Sequence, residues 1–213
     1  MSYTFVNSFT TFANSFDTEV SSTTNVTPNA VVTAAAPSGL AGSYRGIWFA
    51  TSNTAYIGFD AAFTLRHTFA IYSWVWYDDG NSGTATLFSK DRNASADYVY
   101  KAAINSSRYM VVTVYKDSDG SVDDGTATQT TNQLTDREWV WLSISNECNN
   151  HKDTTVRFYT NANAAENHTV SDKCLDDEGA WYTGAFIGSE RTAVAADVFA
   201  NQFSGFIYDF HLY

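Results

Sequence analysis

Residues 68 to 77, TFAIYSWVWY, limit most tightly what this chain can fold into. Successive side chains of an extended strand point to opposite faces, so Phe69, Ile71, Ser73 and Val75 share one face and Ala70, Tyr72, Trp74 and Trp76 the other. Both faces carry large apolar groups, so at least one must pack against a second layer. The same two-residue period returns at 109–116 and 154–160, with the Asp-Gly turns of YDDGNSG and KDSDGSVDDG nearby. Short aromatic and β-branched runs separated by such turns have the rhythm of a β-sandwich or jelly roll.

Composition supports an all-β class. Aromatic residues make up 16% of the 213 residues, while Pro and Met are each present only twice. That length suits one large domain able to bury a core without many disulfides. The formal net charge of -11 repels nucleic acid, and no dense Lys or Arg cluster reverses it locally. No apolar run approaches the roughly 20 residues that span a bilayer, so membrane insertion is not expected.

Residues 1–45 differ from the rest. Phe5, Phe9, Phe12 and Phe16 have a helix-like spacing, but the surrounding Ser, Thr and Asn compete for backbone hydrogen bonds and disfavour helix. A first strand near Tyr3 to Phe5 is expected, then a long irregular connection with one short strand, all packed on the domain formed by residues 46–213.

Within 46–213 six segments together resemble one family. HTFAIYSWVWYDD (67–79) and TLFSKD (86–91) look like the Phe-Thr-Ile-x-x-Trp-Val strand and the Leu-Phe-Ser-Lys-Gly strand of laminin G-like, concanavalin A-like jelly-roll domains. DREWVWLSIS with RFYTN (136–145 and 157–161) is similar to their paired strands, one begun by Trp, the other ended by an aromatic-x-Asn turn. GIWFATSNTAYIGF (46–59) resembles a hairpin, and AFIGSE (185–190) and FSGFIYDFHLY (203–213) resemble the closing strands. The resemblance implies two antiparallel sheets packed face to face, one with a concave outer surface.

Enzymes share this architecture, so catalysis has to be argued from residues. Retaining glycosidases need two carboxylates about 5 Å apart, and related glucanases place them alternately on one strand. The six Glu of this chain, at 19, 138, 147, 166, 178 and 190, show no such alternation. The lyase constellation of Arg, Gln, His and Tyr has no matching strand motif, although His211 and Tyr213 share a face of the last strand. The remaining histidines lack metal-ligand spacing. The chain is therefore not expected to be an enzyme.

Binding features remain. Tyr72, Trp74 and Trp76 either form a ladder of rings that stacks on sugars or are covered by other parts of the chain. Trp141 points away from the Val140, Leu142 and Ile144 face, and Trp181 is a rim contact or a core plug. Asp117, Asp119, Asp123 and Asp124 could converge on a calcium ion or simply solvate a turn. The resemblance places Asp97 where some relatives bind calcium at the rim.

Cys148 and Cys174 are the only cysteines and are expected to form a disulfide. Asn25, Asn93, Asn105 and Asn167 begin N-glycosylation patterns, which points with the cysteine pair to an extracellular or cell-surface setting. The expected role is a recognition or adhesion module for glycan or extracellular protein. A self-associating subunit of a coat or filament, and a divergent polysaccharide-active enzyme, are the alternatives.

Overall fold

The computed structural model describes residues 5–6, 26–29, 31–35, 45–49, 56–60, 68–78, 83–91, 98–116, 123–149, 152–174, 184–193 and 198–212. The strands are β1 (Phe5–Val6), β2 (Val26–Asn29), β3 (Val31–Ala35), β4 (Arg45–Phe49), β5 (Tyr56–Asp60), β6 (Thr68–Tyr77), β7 (Ala85–Asp91), β8 (Tyr98–Ile104) and β9 (Met110–Lys116). They continue as β10 (Asp123–Thr128), β11 (Trp139–Asn149), β12 (Asp153–Thr160), β13 (Glu166–Val170), β14 (Gly184–Ile187), β15 (Glu190–Ala193), β16 (Val198–Ala200) and β17 (Gly205–Leu212). The first sheet runs β13-β12-β11-β6-β17-β4-β3, with β1 also on β17; the second runs β10-β9-β8-β7-β14-β5-β2. All pairings within both sheets are antiparallel, and the architecture is a jelly-roll sandwich.

Alternation sorts the side chains between core and exterior. Phe69, Ile71, Val75 and Tyr77 of β6 and Val140, Leu142 and Ile144 of β11 are buried. They join Phe88, Tyr100, Ala102, Ile104, Val112 and Val114 of the second sheet in one apolar core. The rings of Phe69 and Tyr100 meet edge to face at 4.8 Å between centroids, and Phe88 and Phe210 lie 6.0 Å apart. Such ring contacts add to the stabilisation that comes from buried area.

Two expectations change on folding. GIWFATSNTAYIGF is not a hairpin: β4 bonds to β17 and β3 in the first sheet, while β5 bonds to β14 and β2 in the second. Hairpin and sheet-crossing links join strands with the same local alternation, so only the partner strands distinguish them. The amino-terminal region supplies two strands between residues 21 and 39, β2 and β3, one for each sheet. Pro28 lies in β2, an edge strand, where a missing N–H donor is tolerated.

At the opposite edge the sheets meet through a glycine. A Cβ on Gly125 of β10 would land on Val170 Cγ1 and lie 2.7 Å from Lys173 Cγ. Gly125→Ala is therefore expected to cost about 1–3 kcal/mol through overpacking, read as an earlier midpoint in chemical unfolding. An unchanged midpoint would contradict this closure.

The core also holds a polar bridge between sheets. Asn146 Nδ2 on β11 donates to the Tyr100 hydroxyl on β8 at 2.9 Å, and both residues are buried. Burial pushes the Tyr100 phenol far above its ordinary value, and the Asn146 hydrogen bond only partly opposes that shift, so the hydroxyl stays neutral. Lys90, paired with Tyr100 in the ladder, is also fully buried. Tyr100→Phe strands the Asn146 amide and is expected to cost about 1–3 kcal/mol, with part recovered by adding Asn146→Leu. Equal stability of the single variant and wild type in urea unfolding would refute the bridge's contribution.

Candidate binding face

The outward positions of the central strands β6, β11 and β17 build a continuous aromatic face. Register aligns Trp139 with Trp76 and Trp141 with Trp74 across β11 and β6. On the other side of β6, Phe206 aligns with Trp76, Tyr208 with Trp74 and His211 with Tyr72. Trp48 of β4 follows beyond Phe206. Each ring therefore sits beside another at the spacing of neighbouring strands.

Two ring clusters result. Phe206 lies 4.8 Å from Trp48, 5.9 Å from Trp76 and 6.4 Å from Trp139, measured between centroids. Tyr72 stacks on His211 at 4.5 Å, with an interplanar angle of 21°, and lies 6.5 Å from Trp141. Tyr72, Trp74, Trp76, Trp139 and Trp141 are half-buried, whereas Phe206, Tyr208 and His211 are buried. These four tryptophans and Tyr72 thus combine partial shelter with some accessible surface.

His211 reaches this face because β17 carries an irregularity. Between Tyr208 and His211 the strand advances three residues while β6 advances only from Trp74 to Tyr72. The extra residue puts Phe210 in the core and His211 outside. Ser73, a polar residue on the core face, donates its hydroxyl to the Tyr208 carbonyl at 2.9 Å, so its burial is compensated at this irregularity.

Beyond Tyr72 the face becomes small and polar. Ser143 and Tyr159 share the Tyr72 row; Ala70, Ser145, Arg157 and Asn167 form the next; Thr68, Glu147, Thr155 and Thr169 follow. Arg157 Nη2 and Glu147 Oε2 pair at 2.8 Å, with side chains 35% and 43% exposed. At the aromatic end Asn161 adopts the left-handed conformation, φ 53°, that Asn tolerates better than most residues. Its Oδ1 accepts from Trp141 N at 3.0 Å and its N–H donates to Trp141 O at 2.7 Å, continuing the ladder beside Trp141.

The far edge is held by a carboxylate and a disulfide. Glu166 on β13 accepts from the backbone N–H and hydroxyl groups of Thr130 and Thr131, and its Oε1 lies 2.7 Å from His168 Nε2. Burial pushes the Glu166 carboxyl up, but the bonds from Thr131, His168 and Thr130 together outweigh it and bring it down to about 2 from 4.5. Cys148 at the end of β11 is bonded to Cys174, with Cα atoms 5.5 Å apart. Closing that 26-residue separation removes roughly 3.5 kcal/mol of unfolded-chain freedom.

The depressed Glu166 value fixes a sign. Its contribution is fully present above pH 4.5 and disappears as pH falls through about 2. Glu166→Gln is therefore expected to lower Tm by about 2–4 °C at pH 7, the shift that roughly 1 kcal/mol gives in a chain of this size. The gap should close toward pH 2; a constant gap across that range would contradict the assignment.

The structure brings together Tyr72, Trp74, Trp76 and Trp141 from the sequence reading. Trp181, Asp97, Asp117, Asp119, Asn25 and Asn93 lie outside the described residues. Asp123 and Asp124 occupy the first two positions of β10, paired with Lys116 and Tyr115, where the sequence reading had a loop. Asn105 lies in the turn after β8, its Oδ1 accepting from Ser107 N and Tyr109 N, while Asn167 is exposed on β13. Among the described residues no group of three or more His, Cys, Asp or Glu could hold a metal ion. Trp48, Trp139, Phe206 and the Arg157 and Glu147 pair emerge only from strand order.

No family model matches the chain, and no curated protein matches it in sequence. Among solved structures it is similar to the botulinum neurotoxin serotype G binding domain, at 14% identity and a TM-score of 0.58, over 88% of this chain and 43% of that one. It is also similar to the binding domain of botulinum neurotoxin DC in complex with SialylT, at 14% identity and a TM-score of 0.54, over 88% and 42%. An endo-beta-1,4-glucuronan lyase from the fungus Trichoderma reesei matches at 6% identity and a TM-score of 0.54, over 86% of this chain and 87% of that one. The chain thus spans about two fifths of the toxin domains and most of the lyase's length. At these identities the likeness is one of fold, a jelly-roll sandwich consistent with a concanavalin A-like architecture.

Proposed function

We propose that this chain is a non-catalytic, extracellular recognition module that binds glycan through the outer face of the first sheet. The observation that carries the reading is the run of partly accessible rings, Tyr72, Trp74 and Trp141, beside hydroxyl and amide groups. Rings take the apolar face of a sugar, while polar groups at their margin bond its hydroxyls. The disulfide supports an oxidising compartment. The fold shared with toxin binding domains, one of them in complex with SialylT, is compatible with a binding role.

A glycan array probed with wild type, Trp74→Ala and Trp141→Ala tests this. Wild type is expected to bind, and each variant to lose about tenfold in affinity, roughly 1.4 kcal/mol, while keeping its β-sheet circular dichroism. Silence of wild type across the array overturns the glycan reading; undiminished binding by both variants moves the site elsewhere. Repeating the array with chelator reads whether calcium takes part.

A second reading, polysaccharide cleavage, is favoured by one observation: His211, a group able to carry a proton, stacks on Tyr72 within the same face. Unsaturated products or new reducing ends from incubated polysaccharides would establish it, and their absence across neutral and uronic-acid polymers would remove it.

A further inference from the structure

We infer that the polar end of this face selects neutral over acidic glycans, an inference that rests on the glycan-binding reading above. Ala70, Ser143 and Ser145 are small, and they lie between the Tyr72 ring on one side and Arg157 on the other. A pyranose stacked on Tyr72 would place its rim of hydroxyls over this strip. Arg157 and Glu147 meet the rim as an assembled pair, 2.8 Å apart. The guanidinium offers only donors and the carboxylate only acceptors, so together they suit hydroxyl groups, which do both.

A ligand carboxylate meets the opposite situation. To reach Arg157 it must displace Glu147 or lie beside it, and either choice leaves one carboxylate poorly compensated. Among the described residues of the rows beyond Tyr72, Arg157 is the one Lys or Arg: Asn167 and Thr169 are uncharged, nearby Lys152 is paired with Asp172 at 3.3 Å, and Asp153 follows on β12. The net charge of -11 adds a longer-range repulsion that salt screens.

The test uses matched oligosaccharides that differ only in a carboxylate, such as β-1,4-linked glucose and β-1,4-linked glucuronic acid tetramers, together with lactose and sialyllactose. Titration calorimetry at low and at moderate salt is expected to show the neutral member bound about tenfold tighter at low salt, with the gap narrowing as salt rises. Glu147→Gln should narrow the gap further by raising affinity for the acidic member, with the neutral affinity changed less. Equal or tighter binding of acidic members by wild type overturns the selectivity and leaves the binding reading standing. A gap unchanged in Glu147→Gln also overturns it, because the pair would not be its source. If neither member of any pair binds, the glycan reading falls and this inference with it.

Discussion

The in-register pairing of β6 with β11 sets both the core and the aromatic outer face of the first sheet. Val75 lies beside Val140 and Ile71 beside Ile144 on the inner side, and by the same register Trp76 lies beside Trp139 and Trp74 beside Trp141 on the outer side. A slip of one residue would expose the aliphatic row and drive the indoles inward, where the space between sheets has no room for them. Core and aromatic face are therefore two consequences of one alternation. The stability of the first secures the position of the second.

Neighbouring strands extend that register. β17 continues it on one side of β6, and its irregularity before His211 is the only departure on this strand, supported from below by Ser73. β12 continues it beyond β11 and brings Arg157 to Glu147 across the ladder. Closure at the edges then fixes the two sheets relative to each other. Gly125 allows β10 to press against Val170, and Asn146 reaches Tyr100 through the core. The outer face is consequently carried by strands whose backbones are paired on both sides, the kind of rigid platform that holds rings in place without an induced rearrangement.

Most of this central arrangement was legible in the sequence because strict alternation is a local property. Tyr72, Trp74 and Trp76 were separable from Ile71, Ser73 and Val75, and Trp141 from Leu142, before any partner strand was known. What depends on long-range pairing was not. The crossing between β4 and β5 has the same local pattern as a hairpin. Phe206 becomes the hub of three indoles only when β17 is inserted between β6 and β4. Glu166 grips Thr130 and Thr131 from more than thirty residues away, and no spacing rule announces such a contact. Jelly-roll order is set by the non-local strand pairing, where a single sequence is least informative.

A ligand lying on the indoles of the first sheet must perturb their N–H groups. Titration with a neutral oligosaccharide, followed by the chemical shifts of the six tryptophan indole N–H groups, reads this. Concentration-dependent shifts are expected for Trp74, Trp76 and Trp141, assigned by single Phe substitutions. Binding that leaves these three signals unmoved while backbone signals elsewhere respond would contradict this placement.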